Sequence, residues 1–89
     1  MSSVIVYTGI LCGFCDRAKG LLKEKNIKFK EINIFEQPEK KDEMINLSGG
    51  RMTVPQIFIG NKHIGGWDDL YKLNNEDHLE NILKSEGIE

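Results

Sequence analysis

The opening of the chain most limits the fold it can adopt. Val4-Ile5-Val6-Tyr7 is a short β-branched run that reads as a buried strand. Thr8-Gly9-Ile10-Leu11 reads as a loop. From about Gly13 to Lys25, Phe14, Ala18, Leu21 and Leu22 recur at helical spacing, with Asp16, Arg17, Lys19, Lys23 and Glu24 between them. Asn26 is placed as the C-cap of that helix. Ile27 to Ile34 alternates apolar and polar residues with a shift of parity and reads as a second strand. Two strands joined through such a helix form a parallel pair, and the crossover is right-handed. The first 34 residues therefore commit the chain to an α/β sheet.

The remainder adds an antiparallel hairpin and further helices. Phe35-Glu36-Gln37-Pro38 leads into a second helix with Pro38 in its first turn, an apolar face of Met44, Ile45 and Leu47, and a stop at Gly49-Gly50. Val54 to Ile59 reads as a strand opened by a proline, Gly60-Asn61-Lys62 as a turn, and His63-Ile64 as the return strand. After Gly65-Gly66, Asp68 or Asp69 caps a helix through Leu70, Tyr71 and Leu73, which Asn74-Asn75 interrupts. Leu79, Ile82 and Leu83 mark a last helix. The order β-α-β-α-β-β-α, with an extra C-terminal helix, predicts a four-stranded mixed sheet with helices on both faces. That is the order of the thioredoxin fold. No repeat or linker divides the 89 residues, so one domain is expected over residues 1–89.

The only two cysteines stand three positions apart, as Cys12-Gly13-Phe14-Cys15, where the first helix begins. A thiol in the first turn faces unpaired backbone N–H groups and the positive end of the helix dipole, both of which favour thiolate over thiol. Thiolate is the form that attacks disulfides. The Cys12 sulfur can accept N–H bonds from Phe14 and Cys15. Cys15, one turn further in, should be the more buried of the two and can attack a mixed disulfide formed on Cys12. A Cys-X-X-Cys beside a β-α-β pattern reads as a redox motif.

Composition removes the competing classes. Twelve basic and fourteen acidic residues are well mixed and give a formal charge of −2, so no basic stripe points to nucleic acid. No run approaches the ~20 apolar residues of a membrane span. The N-terminus leads into a strand with no basic region, which does not read as a signal peptide. Two cysteines are too few for a secreted disulfide scaffold, which points to a reducing cytoplasm. A zinc site would have to use Cys12, Cys15, His63 and His78, but the two histidines lack the usual spacing, and each reads as a surface residue.

Four segments at fixed spacing carry a resemblance over about residues 3 to 84: the strand followed by Cys12-Gly13-Phe14-Cys15; Arg51-Met52-Thr53-Val54-Pro55-Gln56-Ile57-Phe58-Ile59; Ile64-Gly65-Gly66; and Trp67-Asp68-Asp69-Leu70. Together they resemble a glutaredoxin of the short dithiol bacterial kind. The resemblance implies a monomeric, cytoplasmic, glutathione-dependent thiol–disulfide oxidoreductase that reduces protein disulfides and glutathione mixed disulfides. It makes Cys12 the nucleophile and Cys15 the resolving thiol. It implies a cis bond before Pro55, with the Val54 backbone pairing with the cysteine of glutathione as a short antiparallel strand does. The γ-glutamyl end of glutathione would meet the backbone near Trp67 and the carboxylates of Asp68 and Asp69, where a helix N-terminus suits its carboxylate and an aspartate its ammonium. Gly66, with Gly65, would let backbone approach the ligand closely. Phe14 would supply an aromatic face, Thr53 would line the groove, and Arg51 would meet the glycine carboxylate.

Two departures from the family pattern stand out. Tyr7-Thr8-Gly9 lacks the lysine that many members carry after Tyr-Thr, leaving Arg17, Lys41 or Arg51 to compensate. Gly13 replaces a common proline, so Cys-Gly-Phe-Cys comes close to the Cys-Gly-Phe-Ser of monothiol glutaredoxins that carry [2Fe–2S] clusters. An alternative is therefore a cluster-bridged dimer in which Cys12 is a ligand. A second alternative is a redoxin fed by thioredoxin reductase.

Overall fold

The computed structural model describes residues 3–88. Strand β1 (Val4–Thr8) is followed by helix α1 (Gly13–Glu24), strand β2 (Lys30–Asn33), helix α2 (Lys40–Leu47), strands β3 (Gln56–Ile59) and β4 (Lys62–Gly65), and helices α3 (Trp67–Asn75) and α4 (Leu79–Ser85). The sheet order is β2-β1-β3-β4. β1 runs parallel to β2, with Val6 opposite Glu31, and antiparallel to β3, with Val6 opposite Ile57. β4 closes the sheet as an antiparallel hairpin whose register shifts between Ile57 and Phe58. This is the expected mixed sheet, and its fold is thioredoxin-like.

Successive residues of β1 face opposite sides of the sheet, so one strand feeds two cores. Val4 and Val6 pack with Ala18 and Leu22 of α1, Leu70 of α3, Leu79 of α4, and Ile57 and Ile59. Tyr7 packs on the other side with Ile32, Met44 of α2 and Phe58. Tyr7 is 1% exposed, and its hydroxyl donates to Glu43 Oε2 at 2.6 Å. Burial foremost, and then the hydrogen bond to Glu43, raises the Tyr7 pKa; in return the Tyr7 hydrogen bond, ahead of the Lys40 charge, holds the Glu43 carboxyl below the usual range. On the α1 side the Thr8 hydroxyl donates to Glu31 Oε2 at 2.7 Å and Lys19 Nζ stands 3.1 Å from the same oxygen, and these lower the Glu31 pKa, the Thr8 bond most.

Several local expectations are corrected. Asn26 is not the C-cap of α1. Lys25 is, and Asn26 follows it in the left-handed region at φ 60°. The Asn26 N–H then bonds Lys23 O, and the Ile27 N–H bonds Leu22 O at 2.8 Å, a Schellman closure. Ile27 thus belongs to the helix end and packs against the α1 core, which shortens β2 to Lys30–Asn33. Pro38 lies in the turn before α2, not inside its first turn, because α2 starts at Lys40. β3 starts at Gln56, one residue beyond Pro55, and Lys62 is already in β4. Asn74 and Asn75 continue α3, which ends in the same left-handed manner at Asp77, with His78 N–H bonding Leu73 O. The N-cap of α3 is Gly66; neither aspartate caps it from that position.

At the pole where β1 begins, Ser3, Val4, Phe29, Gly87 and Ile88 help line a cavity of about 430 Å³. Among the described residues no helix is long and apolar enough to cross a membrane.

Candidate active site

β1 delivers the chain to the mouth of the site, and the loop after it ends at Cys12, the N-cap of α1. The Cys12 backbone is extended, at φ −109° and ψ 100°, which directs the side chain back over the first turn. The Cys15 N–H donates to Cys12 Sγ at 3.1 Å. Of the two amides expected to reach that sulfur, Cys15 supplies the bond. Cys12 and Cys15 are joined as a disulfide, with Cα atoms 5.2 Å apart. Cys15 is 2% exposed, whereas Cys12 is half-buried and within reach of solvent. One sulfur therefore meets a substrate while the other waits beneath the helix.

The second loop carries Arg51 to Pro55. Ser48 fixes its start: its hydroxyl accepts from the Arg51 N–H at 3.1 Å and stands 3.1 Å from Arg51 O. The Val54–Pro55 peptide bond is cis. The Val54 carbonyl oxygen lies 3.8 Å from Cys12 Sγ. Gly9 packs under this loop. A Cβ at that position would stand 3.1 Å from Val54 Cγ2, so any side chain there would press on the residue beside the nucleophile. Gly9 thus packs close to the Val54 side chain and places no charge beside Cys12.

The third loop turns from β4 into α3. Gly65 adopts φ 120°, and a Cβ there would collide with the Asp69 carboxylate. That vacancy lets Asp69 Oδ2 accept the Gly66 N–H at 2.9 Å, one half of a capping box. The same oxygen is 3.8 Å from Arg51 Nη1, which ties the second loop to the third.

Nine residues from these loops line one cleft of about 260 Å³: Phe14, Arg51, Thr53, Val54, Pro55, Gly66, Trp67, Asp68 and Asp69. They are the same nine that the sequence placed around glutathione. Phe14 stands at the rim, 55% exposed, with the Arg17 guanidinium 5.6 Å from its ring centre. Of the three cations considered as substitutes for the lysine, Arg51 lines the cleft, Arg17 borders it, and Lys41 sits on α2. Trp67 stacks on Tyr71 at 5.3 Å between ring centres.

Two residues of this region were not picked out as functional from the sequence. Gln56 is fully buried behind Pro55, and its side chain bridges Thr53 and His63. His63 is half-buried and stacked on Phe58 at 4.8 Å, so the surface reading of this histidine is corrected. His63 and Gln56 meet across the β3–β4 hairpin, and seven residues separate them in sequence; no local pattern marks the pair.

The glutaredoxin family model matches residues 4–64. The chain belongs to the glutaredoxin family. It is 49% identical over 84 residues to glutaredoxin 3 of Escherichia coli K12, covering 94% of this chain and all of that one. It is 46% identical over 88 residues to glutaredoxin 1 of Rickettsia conorii, covering 97% of this chain and 85% of the other. The solution structure of a Brucella melitensis glutaredoxin superposes with a TM-score of 0.82 at 47% identity, covering 100% of this chain and 96% of that one. A crystal structure of a buckwheat glutaredoxin–glutathione complex superposes with a TM-score of 0.84 at 27% identity, covering 99% and 83%. With the Cys12–Cys15 pair at the helix start, this glutaredoxin is a glutathione-dependent thiol–disulfide oxidoreductase that acts on protein disulfides and glutathione mixed disulfides.

Proposed function

We propose that this glutaredoxin works as a single domain over residues 1–89, as a monomer in the cytoplasm, and that the cleft beside Cys12 seats glutathione. The arrangement around Cys12 carries the reading. Its sulfur is half-buried at a helix N-cap, bonded to a buried partner, and 3.8 Å from a cleft residue. The charges of the cleft complement the tripeptide. Arg51 and the N-terminus of α3 suit two carboxylates, and Asp68 and Asp69 suit one ammonium. The Val54 backbone offers strand-like pairing to the central cysteine, and Pro55, Phe14 and Trp67 supply apolar walls. Gly66 presents backbone with no side chain in the way. The buckwheat relative seen in complex with glutathione supports the assignment.

With a protein disulfide, the Cys12 thiolate attacks one substrate sulfur, and the other leaves as a thiolate that takes a proton from water. Cys15 then attacks the Cys12 sulfur. The Cys12–Cys15 disulfide forms, and the second substrate thiol departs. Two glutathiones restore the dithiol and leave as glutathione disulfide. With a glutathione mixed disulfide, Cys12 attacks the glutathione sulfur and the protein thiol leaves. A second glutathione then displaces Cys12, so that Cys15 is not required. In both routes the Cys15 N–H and the α1 N-terminus stabilise the departing Cys12 thiolate.

The rival reading, a bridging [2Fe–2S] cluster, would draw one thiolate from each copy, Cys12, because Cys15 is buried. The deciding experiment is reduction of a glutathionylated peptide with glutathione as the sole reductant. Steady turnover is expected. Turnover only when thioredoxin reductase and its reductant replace glutathione overturns the reading in favour of a reductase-fed redoxin. Anaerobic reconstitution with iron, sulfide and glutathione tests the cluster reading: a brown dimer supports it, and a colourless monomer rejects it.

A further inference from the structure

Behind the cleft runs a hydrogen-bonded chain that the disulfide chemistry does not use. Gln56 is 0% exposed, so its amide has no water to fall back on and depends on its two protein partners. Its Nε2 donates to Thr53 Oγ1 at 3.2 Å. Its Oε1 lies 2.7 Å from His63 Nε2. Two acceptors cannot bond each other, so His63 Nε2 carries the hydrogen in this pair. The imidazole is held against the Phe58 ring, and burial and then the Arg51 charge, opposed by Asp69, keep its pKa below the ordinary value.

The consequence falls on Thr53, which lines the cleft. A threonine hydroxyl has one hydrogen and two lone pairs. Its oxygen already accepts from Gln56, so its hydrogen is free to point outward. Were the amide reversed, its oxygen would face Thr53, draw that hydrogen inward and leave only lone pairs towards the ligand. We propose that Gln56, pinned by His63, is a positioning residue that turns the Thr53 hydroxyl into a hydrogen-bond donor towards a carboxylate of glutathione. The inference rests on the reading of the cleft as the glutathione site.

The test is kinetic, with a glutathionylated peptide as substrate. Thr53→Val alone examines the underlying reading: an unchanged KM means that Thr53 does not bind substrate, and the inference falls with it. If KM rises, Gln56→Glu decides. The carboxylate has the same shape but can only accept, so it recruits the Thr53 hydrogen inward. One lost ligand hydrogen bond predicts a rise in KM of about three- to tenfold. The turnover number and the rate of Cys12 alkylation by iodoacetamide should stay at the parent values. In a Thr53→Val background, Gln56→Glu should add no further rise. His63→Leu, placed on the hairpin and not in the cleft, frees the amide to reverse and should give a smaller rise that also vanishes with Thr53→Val. A Gln56→Glu rise of equal size with and without Thr53, or no rise at all, overturns the proposal. If Gln56→Glu does not fold, the same comparison with His63→Leu decides it.

Discussion

Removing the Tyr7 hydroxyl tests how far one buried hydrogen bond supports the sheet. Tyr7 is 1% exposed, and its oxygen lies 2.6 Å from Glu43 Oε2. Tyr7→Phe keeps the ring packing against Met44 and Phe58 and deletes only the donor. Hydrogen bonds to charged groups contribute about 1.5–3 kcal/mol. Glu43 keeps 40% of its side-chain exposure and can turn to water, so the low end, about 1.5 kcal/mol, applies. In a domain of this size that lowers the melting temperature by roughly 6–12 °C. The cost also has a pH signature. The Glu43 pKa is depressed in the folded state from its ordinary value of 4.5, so its contribution is fully present above that value and is lost as pH falls through the folded pKa. The gap between wild type and Tyr7→Phe should therefore be full at pH 6 and shrink progressively as pH falls below 4.5, read by urea unfolding at each pH. A gap below about 0.5 kcal/mol at pH 6, or one that does not shrink on acidification, would refute the reasoning.

Three other outcomes are expected. Cys12→Ser should abolish activity, whereas Cys15→Ser should retain reduction of glutathione mixed disulfides and lose reduction of protein disulfides; loss of both from Cys15→Ser would contradict the assigned roles. The Glu31 carboxyl is also held low, first by Thr8 and then by Lys19, so Glu31→Gln should flatten the fall of stability as pH drops below 4.5, as measured by urea midpoints. Trp67 lines the cleft, so its fluorescence should change on titration with glutathione and should not respond in a Thr53→Val, Asp68→Ala double variant at the same concentration.

The parts of the fold that were legible in the sequence are those governed by short-range rules. β-branched runs marked β1 and β3, apolar spacing marked α1, and the cysteines flanking Phe14, the Val54-Pro55 pair and the glycines before Trp67 located the three cleft loops. Boundaries were lost where a residue served the neighbouring element. Ile27 looked like the start of a strand because it is β-branched, but it closes the Schellman turn of α1 and packs on its core. Asn74 and Asn75 looked like breakers, yet packing of Leu70 and Leu73 carries α3 through them to its C-cap at Glu76. Asp69 was expected to cap α3 from its N-terminal position, but Gly65 lets it reach back from inside the first turn. The Thr53–Gln56–His63 chain was invisible because its link from Gln56 to His63 is made across the β3–β4 hairpin.

The cavity shared by Ser3, Val4, Gly87 and Ile88 brings the two described extremities side by side. β1 carries the polypeptide about 13 Å away from them before the nucleophile appears beyond its far end. An affinity label or a fluorescent fusion at either extremity would therefore project away from the reactive thiol. The same proximity suits residues 3–88 to circular permutation, in which a short glycine linker joins Ile88 to Ser3 and new ends are opened at an exposed turn.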